Sequence, residues 1–260
     1  MRRLATLASA LVLFAAARFP MIDWLVFYPT PLLADPPSGV EERWIRTADG
    51  LDIHAWYATH PAASTSVVWS HGNGGNIGDR ASVLIALAGR GLDVLAYDYR
   101  GYGKSEGRPS EAGVYLDAEA AFDSERERRG ADAPIVCFGE SLGGAVSIHL
   151  AARRPCAAVA VVSTFTRLRD VASRHYGPLA PLAGDRFDSL SLVNTFQVPF
   201  FAAHGDRDEL VPYELGERLF AAAPEPKRFL RVPGAGHNDI FDHEQLLDEL
   251  ARFLRQQRAR

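Results

Sequence analysis

The sequence contains little cysteine, no internal repeat and no basic stretch interleaved with aromatic residues. Cys137 and Cys156 are the only two cysteines among 260 residues, and they show neither CxxC nor Cys/His spacing. They are expected to be small buried hydrophobic residues, although a disulfide between them stays open. A formal net charge of −4, without a basic patch, predicts that the protein does not bind nucleic acid.

Two familiar ligand-binding motifs are incomplete. Gly72-x-Gly74 follows an apolar run, but Ile77 occupies the place where a dinucleotide fingerprint needs its third glycine. Gly103-Lys104-Ser105 resembles the end of a P-loop, but Asp98 occupies the position of the first glycine. The acids that follow His204 are not accompanied by HExxH or a comparable spacing. We therefore expect no cofactor and no metal.

The N-terminus carries two apolar runs, residues 4–17 and 19–28, separated by Arg18. The first run has the length of a signal-peptide core, and snorkelling of Arg18 would instead join the two runs into a membrane anchor. A cleaved signal, an anchor and a buried terminal helix all stay open. Arg2 and Arg3 favour a cytoplasmic N-terminus, which places the following domain on the non-cytoplasmic side, anchored or exported.

From about residue 41 onward, short apolar runs alternate with longer amphipathic segments. The predicted strands are residues 44–46, 51–58, 66–70, 93–97, 134–138, 157–162, 200–204 and 227–232. The predicted helices are residues 79–90, 111–129, 142–153, 213–223 and 239–258. This alternation predicts an α/β fold: a mostly parallel central sheet of about eight strands, with helices on both faces. Ligands bind such sheets at the carboxyl ends of the strands.

One large domain accommodates this pattern, and we place it at residues 41–260. Residues 164–198 are longer than one helical crossover requires and are interrupted by Gly and Pro, which predicts a short lid over the strand ends. Residues 1–28 are the signal or anchor segment. The Pro-rich residues 29–40 are predicted to be a tether.

Ser141 lies in the segment Gly-Glu-Ser-Leu-Gly, residues 139–143, between an apolar run and a helix-like segment. A serine on a tight strand-to-helix turn needs small residues two positions away on either side, because a Cβ there would clash. The following helix N-terminus adds positive potential and free N–H groups. The pattern predicts that Ser141 is a nucleophile, provided that an acid and a base follow in chain order.

Two later loops supply these partners. A serine needs an imidazole to accept its proton and a carboxylate to orient that imidazole. His237 stands among glycines after the last predicted strand, and Asp208 follows strand 200–204. Asp208 is preferred to Asp206 because it lies further out on the loop, while Asp206 is predicted to bind backbone donors of the turn. Glu209 is a third candidate.

An oxyanion requires two preorganised N–H donors. We expect one from Leu142, the residue after the nucleophile, and the other from the main chain of Asn73 in the Gly-rich loop 71–76. A plain Gly-rich turn is the alternative for that loop. The loop that follows predicted strand 93–97 is expected to be rigid, with Asp98 and Arg100 as a structural pair.

Six segments together carry a resemblance to a known family. They are HGNGGN at 71–76, DYRGYG at 98–103, GESLG at 139–143, STFT at 163–166, DRFDS at 185–189 and GHND at 236–239. The chain from about residue 41 resembles the α/β-hydrolase superfamily, in its Bem46 and ABHD17-type branch, also labelled serine aminopeptidase S33-like. The resemblance implies a Ser-Asp-His hydrolase with a membrane-associated N-terminus, places the acid on Asp208, and implies ester or thioester cleavage, including depalmitoylation. The N-terminal cysteine cluster of the ABHD17 type is missing.

The predicted function is a serine hydrolase that cleaves a carboxylic ester or thioester of a small-molecule or acylated substrate through an acyl-enzyme. An amide-cleaving peptidase and a catalytically silent, membrane-tethered binding module are the alternatives. Apolar lid residues favour an acyl chain, with core packing as the other explanation. These residues are Phe165, Tyr176, Leu179, Leu182 and Phe187.

Overall fold

The computed structural model describes residue 23 and residues 26–31 and 34–257. The predicted signal or anchor segment therefore lies almost wholly outside the described residues. Within them, no helix is both long enough and apolar enough to cross a membrane.

The described chain forms one large sheet and one very small one. The strands are β1 (Tyr28–Pro29), β2 (Val40–Arg46), β3 (Asp52–Ala58), β4 (Ser66–Ser70), β5 (Gly74–Gly75), β6 (Asp93–Tyr97), β7 (Ile135–Glu140), β8 (Ala158–Val162), β9 (Phe200–Gly205) and β10 (Lys227–Val232). Eight of them form the central sheet in the order β10-β9-β8-β7-β4-β6-β3-β2. Only the pairs that involve β3 are antiparallel, so the mostly parallel sheet of eight strands is confirmed.

Helices cover both faces of this sheet. They are α1 (Ala81–Gly89), α2 (Glu111–Arg129), α3 (Leu142–Ala151), α4 (Leu168–Tyr176), α5 (Ser189–Leu192), α6 (Tyr213–Ala222) and α7 (Glu244–Arg255). One core cluster joins one face to α1 and α7, through residues such as Leu84 and Leu250. Two further clusters join the opposite face to α2, α3 and α6, through residues such as Phe122, Val146 and Leu219. Burial of both faces explains why β4 and β6 through β9 have no exposed residue.

The hairpin between β2 and β3 turns at residues 48–50. Gly50 has a φ of +87°, a conformation that residues with a Cβ rarely adopt. The Thr47 N–H donates to the Leu51 carbonyl over 2.9 Å, which closes the turn. Arg46 and Asp52 are then paired across the two strands.

The two cysteines form a disulfide, with a Cα–Cα separation of 5.8 Å. Both are buried, as expected, and the disulfide that the sequence leaves open is formed. Cys137 lies in β7, and Cys156 lies just before β8, the parallel neighbour of β7. The α3 crossover returns the chain to the adjacent strand, so residues 19 apart in sequence become neighbours in space. Spacing alone does not reveal this pairing.

The predicted pairing of Asp98 with Arg100 was wrong. Buried Asp98 accepts the Ile77 N–H over 2.8 Å. Arg100 instead donates to Asp117 and Asp49 over 2.7–3.2 Å. The chain turns sharply after β6, so the two side chains point to different neighbours.

Candidate active site

Ser141 occupies a strained turn between β7 and α3. Its φ of 49° and ψ of −118° lie in a region that residues with a Cβ rarely adopt. A Cβ on Gly139 would overlap the Gly143 backbone, and a Cβ on Gly143 would overlap the Ser70 carbonyl. The Ser141 N–H donates to the Val162 carbonyl over 2.8 Å. The two glycines are therefore required by close approach of backbone to backbone, as the sequence predicts.

The structure brings Ser141, His237 and Asp208 together in a hydrogen-bonded chain. His237 Nε2 lies 3.1 Å from Ser141 Oγ, and His237 Nδ1 lies 2.7 Å from Asp208 Oδ2. The three residues follow β7, β9 and β10, so all of them stand at the carboxyl edge of the parallel sheet. In this arrangement His237 is within reach of the Ser141 hydroxyl proton, and Asp208 holds the opposite side of the ring.

Asp208 is buried and hydrogen-bonded on both carboxylate oxygens. Oδ1 accepts the N–H groups of Leu210 and Val211 over 3.0 and 2.7 Å. Burial by itself raises the pKa of Asp208, but hydrogen bonds with His204 and His237 outweigh it and hold the pKa below its ordinary value. The group therefore stays an anion across the neutral range, as an orienting carboxylate must.

His204 is a site residue that sequence reasoning did not assign. It is buried near the end of β9, and its Nε2 lies 3.2 Å from Asp208 Oδ2 and 3.0 Å from the Val211 carbonyl. A histidine four residues before Asp208 is the signal for this contact in the sequence. Asp208 is thus fixed from two sides, by His204 and by His237.

Asp206 is not part of the hydrogen-bonded chain of Ser141, His237 and Asp208. Its Oδ1 accepts the Gly234 N–H over 2.7 Å, and its Oδ2 accepts from Arg231 over 2.9 and 3.0 Å. These bonds tie the loop after β9 to Arg231 in β10 and to Gly234 in the loop that follows β10. Asp206 therefore shapes the turn, as predicted.

The two predicted oxyanion donors, Asn73 and Leu142, line the same cavity as Ser141. Leu142 is the first residue of α3, where a backbone N–H has no partner within the helix. The glycine-rich loop is held close by because Glu140 accepts the Gly72 N–H over 2.9 Å. Arg80 in turn donates to Glu140 over 2.7 and 2.9 Å.

An N-terminal strap, residues 26–31, also belongs to the site, which the sequence analysis did not predict. The Asn73 side-chain amide donates to the Val26 carbonyl, and the Tyr102 hydroxyl donates to the Asn73 side-chain oxygen over 3.0 Å. Tyr28 pairs with Gly74 in the small parallel β1–β5 sheet. The start of the predicted tether is therefore bound directly to the glycine-rich loop.

Two cavities meet at Ser141. One, of about 530 Å³, is walled by the strap, by α4 and by the turns that follow it, and its lining is almost entirely apolar. Phe165, Tyr176, Leu179 and Leu182, predicted as lid residues, line it, whereas Phe187 is fully buried in the core. The other cavity, of about 620 Å³, is more polar and includes Arg80, Glu140 and His237.

The sheet order, the strained serine turn and the acid and histidine on later strand ends together define an α/β hydrolase. The sequence pattern of the family described as "Serine aminopeptidase, S33" matches residues 61–195, from before β4 to beyond α5. The chain belongs to this family. The matched residues include Ser141 but stop before Asp208 and His237.

Relatives agree with this assignment. The chain is 39% identical over 261 residues to the uncharacterised Mycobacterium tuberculosis protein Rv2307c, covering 94% of this chain and 93% of the relative. It is 34% identical over 223 residues to alpha/beta hydrolase domain-containing protein 17B of Xenopus laevis, covering 85% and 77% respectively. The resemblance stated from sequence motifs is thereby confirmed.

Solved structures share the fold. The Pyrococcus furiosus esterase Pf2001 superposes with a TM-score of 0.75 at 20% identity, covering 90% of this chain and 99% of that chain. At that identity, the likeness shows the α/β-hydrolase fold alone.

Proposed function

We propose that the protein is a serine hydrolase that cleaves a carboxylic ester or thioester through an acyl-enzyme. The observation that carries the proposal is the hydrogen-bonded chain Ser141–His237–Asp208 at the mouth of an apolar cavity. Membership of an α/β-hydrolase family supports the general chemistry.

In the first half-reaction, Ser141 Oγ attacks the carbonyl carbon while His237 Nε2 accepts the hydroxyl proton. Asp208 keeps the His237 ring oriented and stabilises the cation that forms, because its carboxylate is already ionised and fixed. The developing oxyanion binds the main-chain N–H groups of Asn73 and Leu142. His237 then gives the proton to the leaving alcohol or thiol, and the acyl group remains on Ser141.

In the second half-reaction, a water attacks the acyl-enzyme. His237 accepts a proton from the water, and the second tetrahedral intermediate uses the same two N–H donors. Collapse releases the carboxylic acid and returns the proton to Ser141 Oγ. The more polar cavity, which reaches Ser141 and His237, gives the leaving group and the water a separate path.

The apolar cavity supports an acyl chain as the group that Ser141 carries. Apart from Ser141, Asn73, His175 and the Tyr28 and Tyr176 hydroxyls, its lining is aliphatic or aromatic. Among the described residues, no Asp or Glu lines it, so a substrate ammonium would meet no carboxylate there. This composition favours an acyl ester or thioester over the free N-terminus of a peptide.

A fluorophosphonate probe tests the proposal directly. Wild-type protein is expected to be labelled, and the Ser141→Ala variant is expected not to be. A folded wild type that resists labelling, or equal labelling of the variant, would refute the hydrolase. A series of p-nitrophenyl esters and acyl thioesters of increasing chain length, beside the matching p-nitroanilides, then measures the acyl preference and separates esterase from amidase activity.

The buried disulfide supports a non-cytoplasmic location of the domain, because structural disulfides persist in oxidising compartments. We propose that the N-terminal apolar segment anchors or exports the protein. Protease added to sealed membrane vesicles with the cytoplasmic side inside should degrade the domain, whereas protection until the vesicles are lysed would place it in the cytoplasm.

A further inference from the structure

Exposed apolar side chains are concentrated at the mouth of the Ser141 cavity. In the described part of the chain, seven large hydrophobic side chains are exposed, and five of them line this cavity. These five, which we call the apolar rim, are Tyr28, Tyr176, Leu179, Leu182 and Leu210. Their exposed fractions run from 48% to 62%. Exposed apolar side chains grouped around one cavity mark an interaction site.

The strap fastens the N-terminal part of the chain to the same place. Tyr28 belongs both to the rim and to β1, which pairs with the glycine-rich loop. Phe27 is buried against Phe187, which fixes the strap from the lid side as well. The second apolar run of the sequence, residues 19–28, therefore ends at the cavity mouth, where Val26 and Tyr28 line the cavity. A segment of that composition that partitions into a bilayer would hold the rim against it.

Helix α4 borders the cavity mouth. None of its residues is buried, although Leu168, Val171 and Tyr176 turn toward the cavity. Arg174 on the same helix is exposed to solvent. Leu168 and Val171 pack partly against the core, so α4 contributes Tyr176 to the exposed rim.

We propose that the apolar rim docks on a lipid bilayer, so that the Ser141 cavity opens into the membrane surface. The bilayer is the occupant that fits both the apolar rim and the apolar sequence that leads into it. An acyl chain would then pass from the bilayer into the cavity without crossing water. That last consequence rests on the proposed hydrolase function, whereas the docking itself does not.

The test measures depth at single labelled positions in the full-length protein reconstituted in phospholipid nanodiscs. Leu179→Cys and Leu182→Cys, each labelled with bimane, report on the rim. Ile85→Cys on α1 and Trp44→Cys on β2 are matched controls, since these side chains are 46% and 54% exposed but line neither cavity. The native cysteines are bonded to each other and do not take the label.

Lipids that carry a nitroxide near the head of the acyl chain should quench the bimane at positions 179 and 182 and leave positions 85 and 44 bright. Equal quenching at all four positions, or none at the rim, would overturn the proposal. Self-quenching at the rim that depends on protein concentration, without quenching by lipid, would show a second copy of the chain there and would equally overturn it.

Two controls keep the result interpretable. Each labelled variant should unfold at the wild-type temperature, which shows that the substitution leaves the fold intact. The experiment is repeated with Ser141→Ala, where docking is expected to persist. Lipid quenching then reports on docking alone, whereas labelling by the fluorophosphonate probe reports on the hydrolase. A failure of one proposal can therefore be told from a failure of the other.

Discussion

The two ends of the central sheet both hold buried carboxylates, and the two cavities described above open at its carboxyl end. At the carboxyl end, Asp208 binds His237, which reaches Ser141 at the junction of two cavities. At the amino end, Ser66 donates a hydrogen bond to Glu125, and burial raises the pKa of Glu125 to about 7. A carboxyl with such a pKa resembles a catalytic acid. A perturbed pKa therefore marks a site only together with open space and a nucleophile.

Arginines close the amino end. Arg128 donates to Glu125 over 2.8 and 2.9 Å, and Arg129 donates to Asp93 over 2.8 Å. The Tyr57 hydroxyl also donates to Asp93, over 3.0 Å. Each carboxylate there binds a cation or a hydroxyl of the protein, and neither of the two cavities described above is lined by Glu125 or Asp93. The amino end stabilises the fold, and the carboxyl end is the candidate for chemistry.

Ser141→Ala, at the carboxyl end of the sheet, should cause the largest loss of hydrolysis. We expect hydrolysis of an activated acyl ester to fall on the order of 10⁴-fold or more, because the nucleophile is lost. The unfolding temperature should stay near the wild-type value, since Ser141 Oγ contributes one hydrogen bond. Steady-state rates and thermal unfolding of the same preparations measure both. Retained turnover by a pure variant would place the nucleophile elsewhere.

Asp208→Asn should have the next largest effect. An amide cannot stabilise the His237 cation and can hold the ring in the wrong tautomer, so kcat should fall by about 10³- to 10⁴-fold with a smaller change in KM. Asp206→Asn is the matched control, because Asp206 lies on the same loop but binds Gly234 and Arg231 instead. Similar losses in both variants would mean that loop structure, and not the Asp208 charge, is what matters.

The disulfide lies between the two ends, and breaking it should affect stability more than chemistry. The paired change Cys137→Ala and Cys156→Ala removes a link across a sequence separation of 19. The free energy of unfolding is expected to fall by about 2–4 kcal/mol, chiefly because the unfolded chain gains freedom. Urea denaturation measures this loss. The rate per folded molecule should be close to wild type, and a rate loss like that of Asp208→Asn would contradict this assignment.

The carboxyl end was predictable because its signals are local. A glycine on each side of Ser141, a strand before it and a helix after it are all contiguous in sequence, and Asp208 and His237 each follow a predicted strand. The strap was not predictable, because two residues of β1 pair with two glycines and give no alternating pattern. The contact between His204 and Asp208 forms because the loop after β9 folds back toward the strand. The path of that loop is a property of the tertiary structure, so the sequence pattern does not predict the contact.

Glu125→Gln should leave activity unchanged, weaken the contact with Arg128 and reduce the dependence of stability on pH. The pKa of Glu125 is raised from 4.5 to about 7 in the folded protein, first of all by burial. The folded state thus holds this proton more tightly than the unfolded state. The resulting stabilisation is complete below pH 4.5 and is lost as the pH rises through 7.

Wild-type protein should therefore lose a few degrees of unfolding temperature between about pH 5 and about pH 8, and Glu125→Gln should lose less. A glutamine can still accept a hydrogen bond from the Ser66 hydroxyl but has no proton to release. The unfolding temperature of the variant should therefore change less with pH, while its hydrolysis persists. Thermal unfolding across this range measures the slope. An unchanged slope would assign the proton to another group, and lost hydrolysis would mean that the amino end also serves the chemistry.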